Sequence, residues 1–406
     1  MRIMILIADM LPGNRLKINN SAIPMTPVDK VLSRIGGTNF SSCFTPAPDT
    51  PRSLASLFTG QLPKNNGCDT RTKWASKFVD SQSISIFRQL QNLNYEIVAY
   101  MQEGISHLFF PSDSSENINQ FSGLLQSLKE VSKLEKKENL LYFLHVMDYH
   151  FAVDDLGGAA SANFQGNLRI ANCIEGVLNE LGDNFFDLMI ILSDHGCKLS
   201  DNSHDMWSHL NNDRTQILMF IHKKNEIGIS VNNKLTSIMD VYPYICSELG
   251  IDVNSKQLKL DGKDFKVESN NRLLIVEDYY HQKSKLQFVA DIGALPNIWG
   301  VHGESYSYFE NISGQSYVEV RRVTAEDSRF KLDEFVKKCK AELVLSSSSY
   351  FTLRTQYDSI SPALQPVNLT ELNFHVVYSN GDKRFKRNSR KIKRAIRKFQ
   401  SRIAGM

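Results

Sequence analysis

The first two-thirds of this 406-residue chain alternate between short apolar runs and helical patterns. Several of the runs carry hydrophobic side chains at consecutive positions, which is typical of parallel strands buried on both faces. Because buried strands alternate with helices, the pattern predicts an α/β fold with a doubly wound, mostly parallel sheet. The predicted strands are Ile3–Ala8, Glu96–Met101, Leu140–His145, Leu188–Leu192 and Gln216–Ile221.

Helices are predicted between these strands. They cover Pro27–Ile35, Pro51–Phe58, Ser83–Leu93, Ser122–Leu134, Leu168–Leu181 and Lys234–Leu249. After about Asn270 the rhythm changes to shorter strands and one helix, which indicates a smaller α+β subdomain. Its predicted elements are Leu273–Glu277, Leu286–Ala290, Ser305–Glu310, Tyr317–Arg321 and a helix at Leu332–Leu343. We therefore predict a catalytic α/β domain over residues 1–268, a C-terminal subdomain over 269–382 and a separate tail over 383–406.

The bulk composition is that of an ordinary globular protein, with 42% hydrophobic and 22% charged residues. The chain has no apolar run near the roughly 20 residues that span a bilayer. The apolar start at Ile3 ends in Asp9 with no small-residue cleavage site, so no signal peptide is predicted and a cytoplasmic location is expected. The six cysteines form no CxxC pair, which argues against a zinc knuckle or a disulfide framework.

The basic residues concentrate in the tail, since Lys383–Met406 carries eleven of them and no acidic residue. Subtracting these eleven from the net charge of +3 leaves −8 for the rest of the chain. Apolar and basic side chains fall at helical spacing on opposite faces, a pattern typical of a helix lying on an anionic membrane. The side chains proposed to contact the membrane are Lys391, Arg394, Ile396, Arg397 and Phe399. A solvated, disordered tail or nucleic-acid binding are the alternatives, and nucleic acid is the least favoured.

Polar side chains follow three of the predicted strands. Asp9 ends the first, His150 comes shortly after the third, and Asp194 and His195 follow the fourth. Ligands bind beyond the carboxyl ends of strands in open α/β sheets, where these groups can converge on one ion. We predict a divalent metal site, with zinc, manganese, calcium and magnesium all open. His145 and Asp148 also lie at the end of the third strand; packing inside the strand is the favoured interpretation of His145, and a ligand role is the alternative.

Thr50 is the candidate nucleophile. It is predicted to be the N-cap of a helix that has Pro51 as its first residue. A helix N-terminus attracts anions, and a metal ion would convert the hydroxyl into an alkoxide able to attack a phosphate. The simpler interpretation is that Thr50 only caps the helix, since threonine is a favoured cap.

The chain resembles the sulfatase-like family of the alkaline phosphatase superfamily, through motifs in family order over about residues 1–265. Ser193-Asp194-His195-Gly196 matches the family's metal motif residue for residue. Weaker matches surround it: Thr26–Leu32 for "TPNLDRLA", Ser53–Gly60 for "SRAALLTG", Asn94–Tyr100 for "GYxTAxxGKWHLG", Met147–His150 for "DPH", and Ile238–Pro243 with Asp261-Gly262 for "DIxPTLLxLAGI…DG".

The resemblance implies roles for named residues. The residues at metal-binding positions are Asp9, Thr50, Asp194 and His195. Thr50 occupies the place of the nucleophile, and His150 would contact the transferred group or protonate the leaving oxygen. His209 resembles a histidine of phosphoethanolamine transferases that binds substrate phosphate or a second ion, and His204 could serve in its place. Arg52 could replace the family's arginine, which is Leu54 here.

Departures from the sulfatase pattern favour phosphate esters. Sulfatases mature a cysteine or serine to formylglycine, which Thr50 cannot become, and their paired first-strand aspartates are Ala8-Asp9 here. These features look more like phosphoethanolamine and phosphoglycerol transferases. We therefore expect a hydrolase or transferase of phosphate esters, with a phospho-Thr50 intermediate and transfer to a lipid-linked cell-surface glycan precursor at the inner membrane face. A sulfatase and an inactive binding protein on the same fold are the alternatives.

Overall fold

The computed structural model describes residues 1–80, 82–101, 106–157, 160–199, 206–253, 258–267, 272–279, 296–304, 306–320, 332–347, 349–350 and 373–376. The described residues up to 267 form one compact unit, and those from 272 onward form a second. Within the described part of the chain, no helix is long and apolar enough to cross a membrane.

An eight-stranded sheet forms the centre of the first unit. Its strands are β1 Arg2–Ala8, β2 Gly37–Phe44, β3 Glu96–Tyr100, β4 Asn119–Phe121, β5 Leu140–Val146, β6 Leu188–Leu192, β7 Met219–Lys223 and β8 Ile229–Ser237. Their order across the sheet is β4-β3-β5-β1-β6-β7-β2-β8. The first five in this order are mutually parallel, whereas β7 runs antiparallel to both β6 and β2. The structure thus confirms the predicted mostly parallel sheet.

Both faces of this sheet are covered by hydrophobic side chains. In β1, Ile3, Ile5 and Ile7 belong to one buried cluster, while Met4 and Leu6 belong to another on the opposite face. Consecutive apolar residues are therefore needed, because successive side chains of a strand point to opposite faces. This requirement explains why the central strands could be recognised from the sequence.

Helices pack on both faces. They are α1 Pro27–Ile35, α2 Thr50–Thr59, α3 Pro63–Asn66, α4 Ala75–Phe78, α5 Ile86–Asn92, α6 Ser106–Phe109, α7 Leu124–Lys133, α8 Asp148–Leu156, α9 Ala160–Leu181, α10 Asn212–Thr215 and α11 Val241–Glu248. Single 3-10 turns lie at Gly13–Arg15, Ser115–Asn117, Met206–His209 and Ile238–Asp240. A capping box begins α1, since Thr26 accepts from the Asp29 N–H and Asp29 accepts from the Thr26 N–H.

Two predicted elements are wrong at the far side of the sheet. The predicted helix Lys234–Leu249 is the end of β8 followed by α11, because the residues from Ile229 onward pair with β2. The predicted strand Gln216–Ile221 begins later, at Met219, since Gln216 and Ile217 make isolated bridges to Phe44 and Pro12.

A second, mostly antiparallel sheet defines the second unit. Its strands are β9 Leu274–Asp278, β10 Ile298–His302, β11 Tyr306–Asn311, β12 Ser316–Val320 and β13 Asn373–Val376, and its helix is α12 Leu332–Ser346. The core contains Trp299, Val301 and Tyr308 from the sheet with Cys339 and Leu343 from α12. This is the smaller α+β arrangement that the sequence predicts, with β10 and β13 as additional strands. The predicted strand Leu286–Ala290 and the basic tail lie outside the described residues.

Candidate active site

A buried polar cluster lies at the carboxyl ends of three adjacent strands. Asp9 follows β1, His145 lies in β5 and Asp194 follows β6. Because β1 is hydrogen-bonded to both β5 and β6, with Ile7 opposite both His145 and Leu192, these side chains meet. One potential ligand atom from each of the three residues lies within 4.8 Å of the others.

The donor set of this cluster fits a divalent cation. Within the described residues, neither ring nitrogen of His145 has a hydrogen-bond partner, and Asp194 Oδ2 also has none. His145 Nε2 is 3.2 Å from Asp9 Oδ2, but it does not approach at a hydrogen-bonding angle. Buried polar atoms without partners are costly, and carboxylate oxygens with imidazole nitrogens are the ligands that such ions take.

The two carboxylates have pKa values displaced in opposite directions. Burial opposes ionisation of Asp9, but its contacts with His145 and His150 hold its pKa well below the usual range. Burial, followed by the negative charge of Asp9, raises the pKa of Asp194. Two buried carboxylates that disfavour each other's ionisation are a common feature of functional sites, and a bound cation would offset their repulsion.

Thr50 lies directly beside this cluster. Its Oγ1 is 3.3 Å from Asp9 Oδ2 and 3.2 Å from His195 Nε2. His195 Nδ1 is 2.8 Å from the Gly196 carbonyl oxygen, which can only accept, so Nδ1 carries the proton. In the neutral ring Nε2 therefore keeps its lone pair, the state in which a histidine can bind metal.

The helix cap corrects one sequence prediction. Asp49, not Thr50, is the N-cap of α2: its backbone is extended and its carboxylate accepts from the Arg52 N–H at 3.2 Å. Thr50 is the first residue of the helix and Pro51 the second, because the extended backbone of Asp49 lets its carboxylate reach the free N–H groups. The Thr50 hydroxyl is consequently directed to Asp9 and His195 rather than used as a cap.

Two further predicted histidines are near this site. His150, on α8, places Nδ1 3.3 Å from Asp9 Oδ1 and Nε2 3.3 Å from Asp154 Oδ2. The hydrogen bond to Asp9 raises the pKa of His150, although partial burial opposes the shift.

His209 lines a cleft of about 230 Å³. The other residues lining it are Met10, Val153, His195, Gly196, Cys197, Lys198, Ser208 and Arg214.

The family model described as "Sulfatase" matches residues 2–251, which is more than half of the chain. The chain belongs to the sulfatase family. Family membership indicates an enzyme that acts on sulfate or phosphate esters. No curated protein matches the chain in sequence.

Solved structures of low identity share the fold of this sulfatase-family chain. A 2-O GAG sulfatase has a TM-score of 0.62 at 14% identity, covering 86% of this chain and 93% of its own. An alkaline phosphatase superfamily protein from Vibrio parahaemolyticus has a TM-score of 0.58 at 13% identity, with 88% of each chain covered. The phosphonate monoester hydrolase of Agrobacterium radiobacter has a TM-score of 0.52 at 12% identity, covering 89% of this chain and 95% of its own. At these identities the likeness establishes the fold.

The remaining predicted site residues are placed differently. Arg52 is buried, and its guanidinium contacts Asp49, with Nε at 2.7 Å from Oδ2 and a second, shorter contact from the terminal nitrogen. Arg52 thus supports the Asp49 cap, and its catalytic role stays a prediction. His204 and the tail residues Lys391, Arg394, Ile396, Arg397 and Phe399 lie outside the described residues.

Two features of the sulfatase-family site differ from the favoured predictions. His145 joins the cluster, although packing was the favoured interpretation, and its ring also contacts Phe109. Met10 adopts φ 64°, in the left-handed region that non-glycine residues rarely occupy, and its N–H donates to Asp194 Oδ1 at 3.2 Å. Met10 thus links the ends of β1 and β6. Strained backbone of this kind is often found at functional sites.

Proposed function

We propose that this chain hydrolyses or transfers phosphate esters through a covalent intermediate on Thr50. The observation that carries the proposal is the position of Thr50 Oγ1, within 3.3 Å of Asp9 Oδ2 and 3.2 Å of His195 Nε2. Because Asp49 caps α2, the Thr50 hydroxyl has no competing structural role at the helix start. A hydroxyl held between a carboxylate and an imidazole is the arrangement of an activated nucleophile.

The residues that would hold a divalent ion are Asp9, Thr50, Asp194 and His195, with His145 beside them. A bound divalent ion would favour the alkoxide form of Thr50 and offset the negative charge of the ester. The N-terminus of α2 adds backbone N–H groups and a positive dipole end next to Thr50, which also favour an anionic group there.

The reaction has two balanced halves. Thr50 Oγ, having released its proton to solvent, forms a bond to phosphorus while the bond from phosphorus to the leaving oxygen breaks, and that oxygen takes a proton from His150 or His209. Water or an acceptor hydroxyl then attacks the same phosphorus and gives its proton to that histidine, while the bond to Thr50 Oγ breaks. Water as the acceptor gives a hydrolase, and an alcohol gives a transferase.

The choice of phosphate over sulfate rests on the nucleophile. Threonine cannot be oxidised to formylglycine, so Thr50 can attack a phosphate ester but cannot supply the aldehyde hydrate that sulfatases use. A sulfatase activity is the second candidate, because the matching family model is described as "Sulfatase" and a 2-O GAG sulfatase shares the fold.

Kinetics with matched aryl esters test the proposal. Thr50→Ala should abolish turnover of aryl phosphodiesters while the fold and the metal content stay close to wild type, and Thr50→Ser should keep measurable turnover because it retains the hydroxyl. Wild type should hydrolyse an aryl phosphate ester faster than the corresponding aryl sulfate. Near wild-type kcat in Thr50→Ala would falsify the nucleophile, and faster sulfate hydrolysis would favour the second candidate.

We further propose, from the sequence of the tail, that the chain binds an anionic membrane surface as a peripheral protein on the cytoplasmic side. A lipid-linked glycan precursor at that surface would be a suitable acceptor for a phosphoethanolamine or phosphoglycerol group. The support is the basic and apolar pattern of Lys383–Met406.

A further inference from the structure

Arg214 contacts three parts of the site: the loop after β6, the segment before α2, and His209. Its backbone carbonyl accepts from the Gly196 N–H at 2.8 Å, next to His195. One terminal guanidinium nitrogen donates to the Pro48 carbonyl at 2.7 Å, two residues before Thr50. The other lies 3.2 Å from His209 Nδ1.

The segment that carries Arg214 is held rigidly. Arg15 binds the neighbouring Asp213 through two hydrogen bonds, of 2.9 and 2.6 Å, and Asn14 adds a third at 2.7 Å. Asp213 is buried, whereas the Arg15 side chain is 35% exposed, so this bidentate ion pair is partly shielded from water. The Arg214 guanidinium is therefore presented to His209 from a fixed backbone.

The contact with Arg214 determines the tautomer of His209. A guanidinium has donors and no acceptor, so His209 Nδ1 must accept and cannot carry a proton. The neutral ring then has its proton on Nε2, where it can donate a hydrogen bond but is a poor acid. His150 differs, because its two ring nitrogens each lie 3.3 Å from a carboxylate, of Asp9 and of Asp154, and carboxylates can only accept.

We infer that Arg214 is a positioning residue that holds His209 as a neutral Nε2–H donor to a non-bridging oxygen of the ester. His209 then binds the transferred group, and the leaving oxygen takes its proton elsewhere. The inference rests on the proposed function for its substrate, whereas the tautomer of His209 does not depend on it.

Nitrogen-15 NMR of histidine-labelled protein tests the tautomer directly. In slightly alkaline buffer, wild type should show His209, assigned by its loss in His209→Gln, with the proton on Nε2. Arg214→Met should give a mixture of tautomers, and Arg214→Lys should restore the wild-type pattern in part because one donor remains. A proton on Nδ1 in wild type would overturn the inference, as would an unchanged tautomer in Arg214→Met.

A leaving-group series tests the role. His209→Ala should lower kcat/KM about 10- to 100-fold for good and poor aryl leaving groups alike, the range for a hydrogen bond to a charged group, and His209→Gln should lose less. A loss in His209→Ala that grows with the leaving-group pKa would identify a general acid and contradict the inference. The NMR result does not depend on the phospho-Thr50 intermediate, so it tests the tautomer of His209 even where that intermediate is wrong.

Discussion

His145 and His222 are two buried histidines in strands of the same sheet, but their surroundings differ. His222, in β7, is buried; its Nδ1 lies 3.1 Å from the Gly36 carbonyl oxygen, and only its Nε2 lacks a hydrogen-bond partner among the described residues. His145 lies beside Asp9 and Asp194, and neither of its ring nitrogens has a hydrogen-bond partner within the described residues. His222 is therefore placed by packing, whereas His145 faces the two carboxylates of the candidate cation site.

His145→Ala should reduce the divalent metal content of the purified protein, or weaken its affinity about 10- to 100-fold, the usual effect of removing a ligand or its support. His222→Ala is the matched control, because it removes a buried strand histidine that is remote from the cluster. Elemental analysis after dialysis gives the measurement, with Asp194→Ala/His195→Ala as the reference for complete loss. Equal metal content in His145→Ala and wild type would count against the cluster.

Asp9, Asp194 and His195 could be predicted as candidate ligands because they lie at the ends of apolar runs. His145 was the less favoured candidate, because a histidine at the end of an apolar run is also compatible with core packing. Its encounter with Asp9 and Asp194 depends on β1 lying between β5 and β6, an order that the local pattern does not specify. The Asp49 cap was missed because aspartate and threonine are both favoured caps and occupy adjacent positions.

At the scale of elements, the metal motif depends on close backbone packing between the end of β6 and α10. A Cβ added to Gly196 would lie 2.0 Å from the Asp213 carbonyl oxygen and 3.0 Å from Pro12 Cα. These neighbours are backbone atoms, so neither can move aside cheaply. The glycine after His195 is therefore a steric requirement for bringing His195, Asp213 and Arg214 together.

Gly196→Ala should destabilise the fold and lower metal binding, because the loop that carries His195 must shift. Gly176→Ala is the control: Gly176 lies inside α9, and its added methyl would meet nothing within 4 Å. That change should stabilise the protein by about 0.5–1 kcal/mol through helix propensity. Urea unfolding of both variants gives the comparison, and equal stability of Gly196→Ala and wild type would refute the packing argument.

The elements differ in how well local sequence defines them. β6 and α1 have their predicted bounds, because one is continuously apolar and the other has a capping box and a proline at its start. The last residues of β8, from Lys234, were mistaken for the start of a helix, because most of β8 is exposed and shows no clear strand alternation. An edge strand like β8 forms through pairing with β2, which is a tertiary effect.

At the scale of the whole molecule, charge is distributed unevenly along the chain. The eleven basic residues of Lys383–Met406 contrast with a net charge of −8 on the remainder. Each basic side chain near an anionic surface contributes about 1 kcal/mol of attraction, which salt screens. Apolar side chains at helical spacing, such as Ile396 and Phe399, would add burial that salt does not screen.

Deleting residues 383–406 should release the protein from anionic vesicles without loss of soluble activity. Binding of the full chain should weaken but persist as salt rises, and Phe399→Ser should reduce the salt-resistant part. Co-sedimentation with anionic vesicles is the measurement, run beside a nucleic-acid gel shift. A full-length chain that ignores vesicles at low salt would rule out the membrane proposal, and a steep salt slope on nucleic acid would support that alternative.

Trapping of the covalent intermediate tests the central claim most directly. Wild type would be quenched in acid during turnover of an aryl phosphodiester, and its mass measured intact and after digestion. We predict a phosphoryl-type adduct on the peptide that contains Thr50, the same adduct on the serine of Thr50→Ser, and none in Thr50→Ala. An adduct on a different residue, or one that persists in Thr50→Ala, would contradict the account.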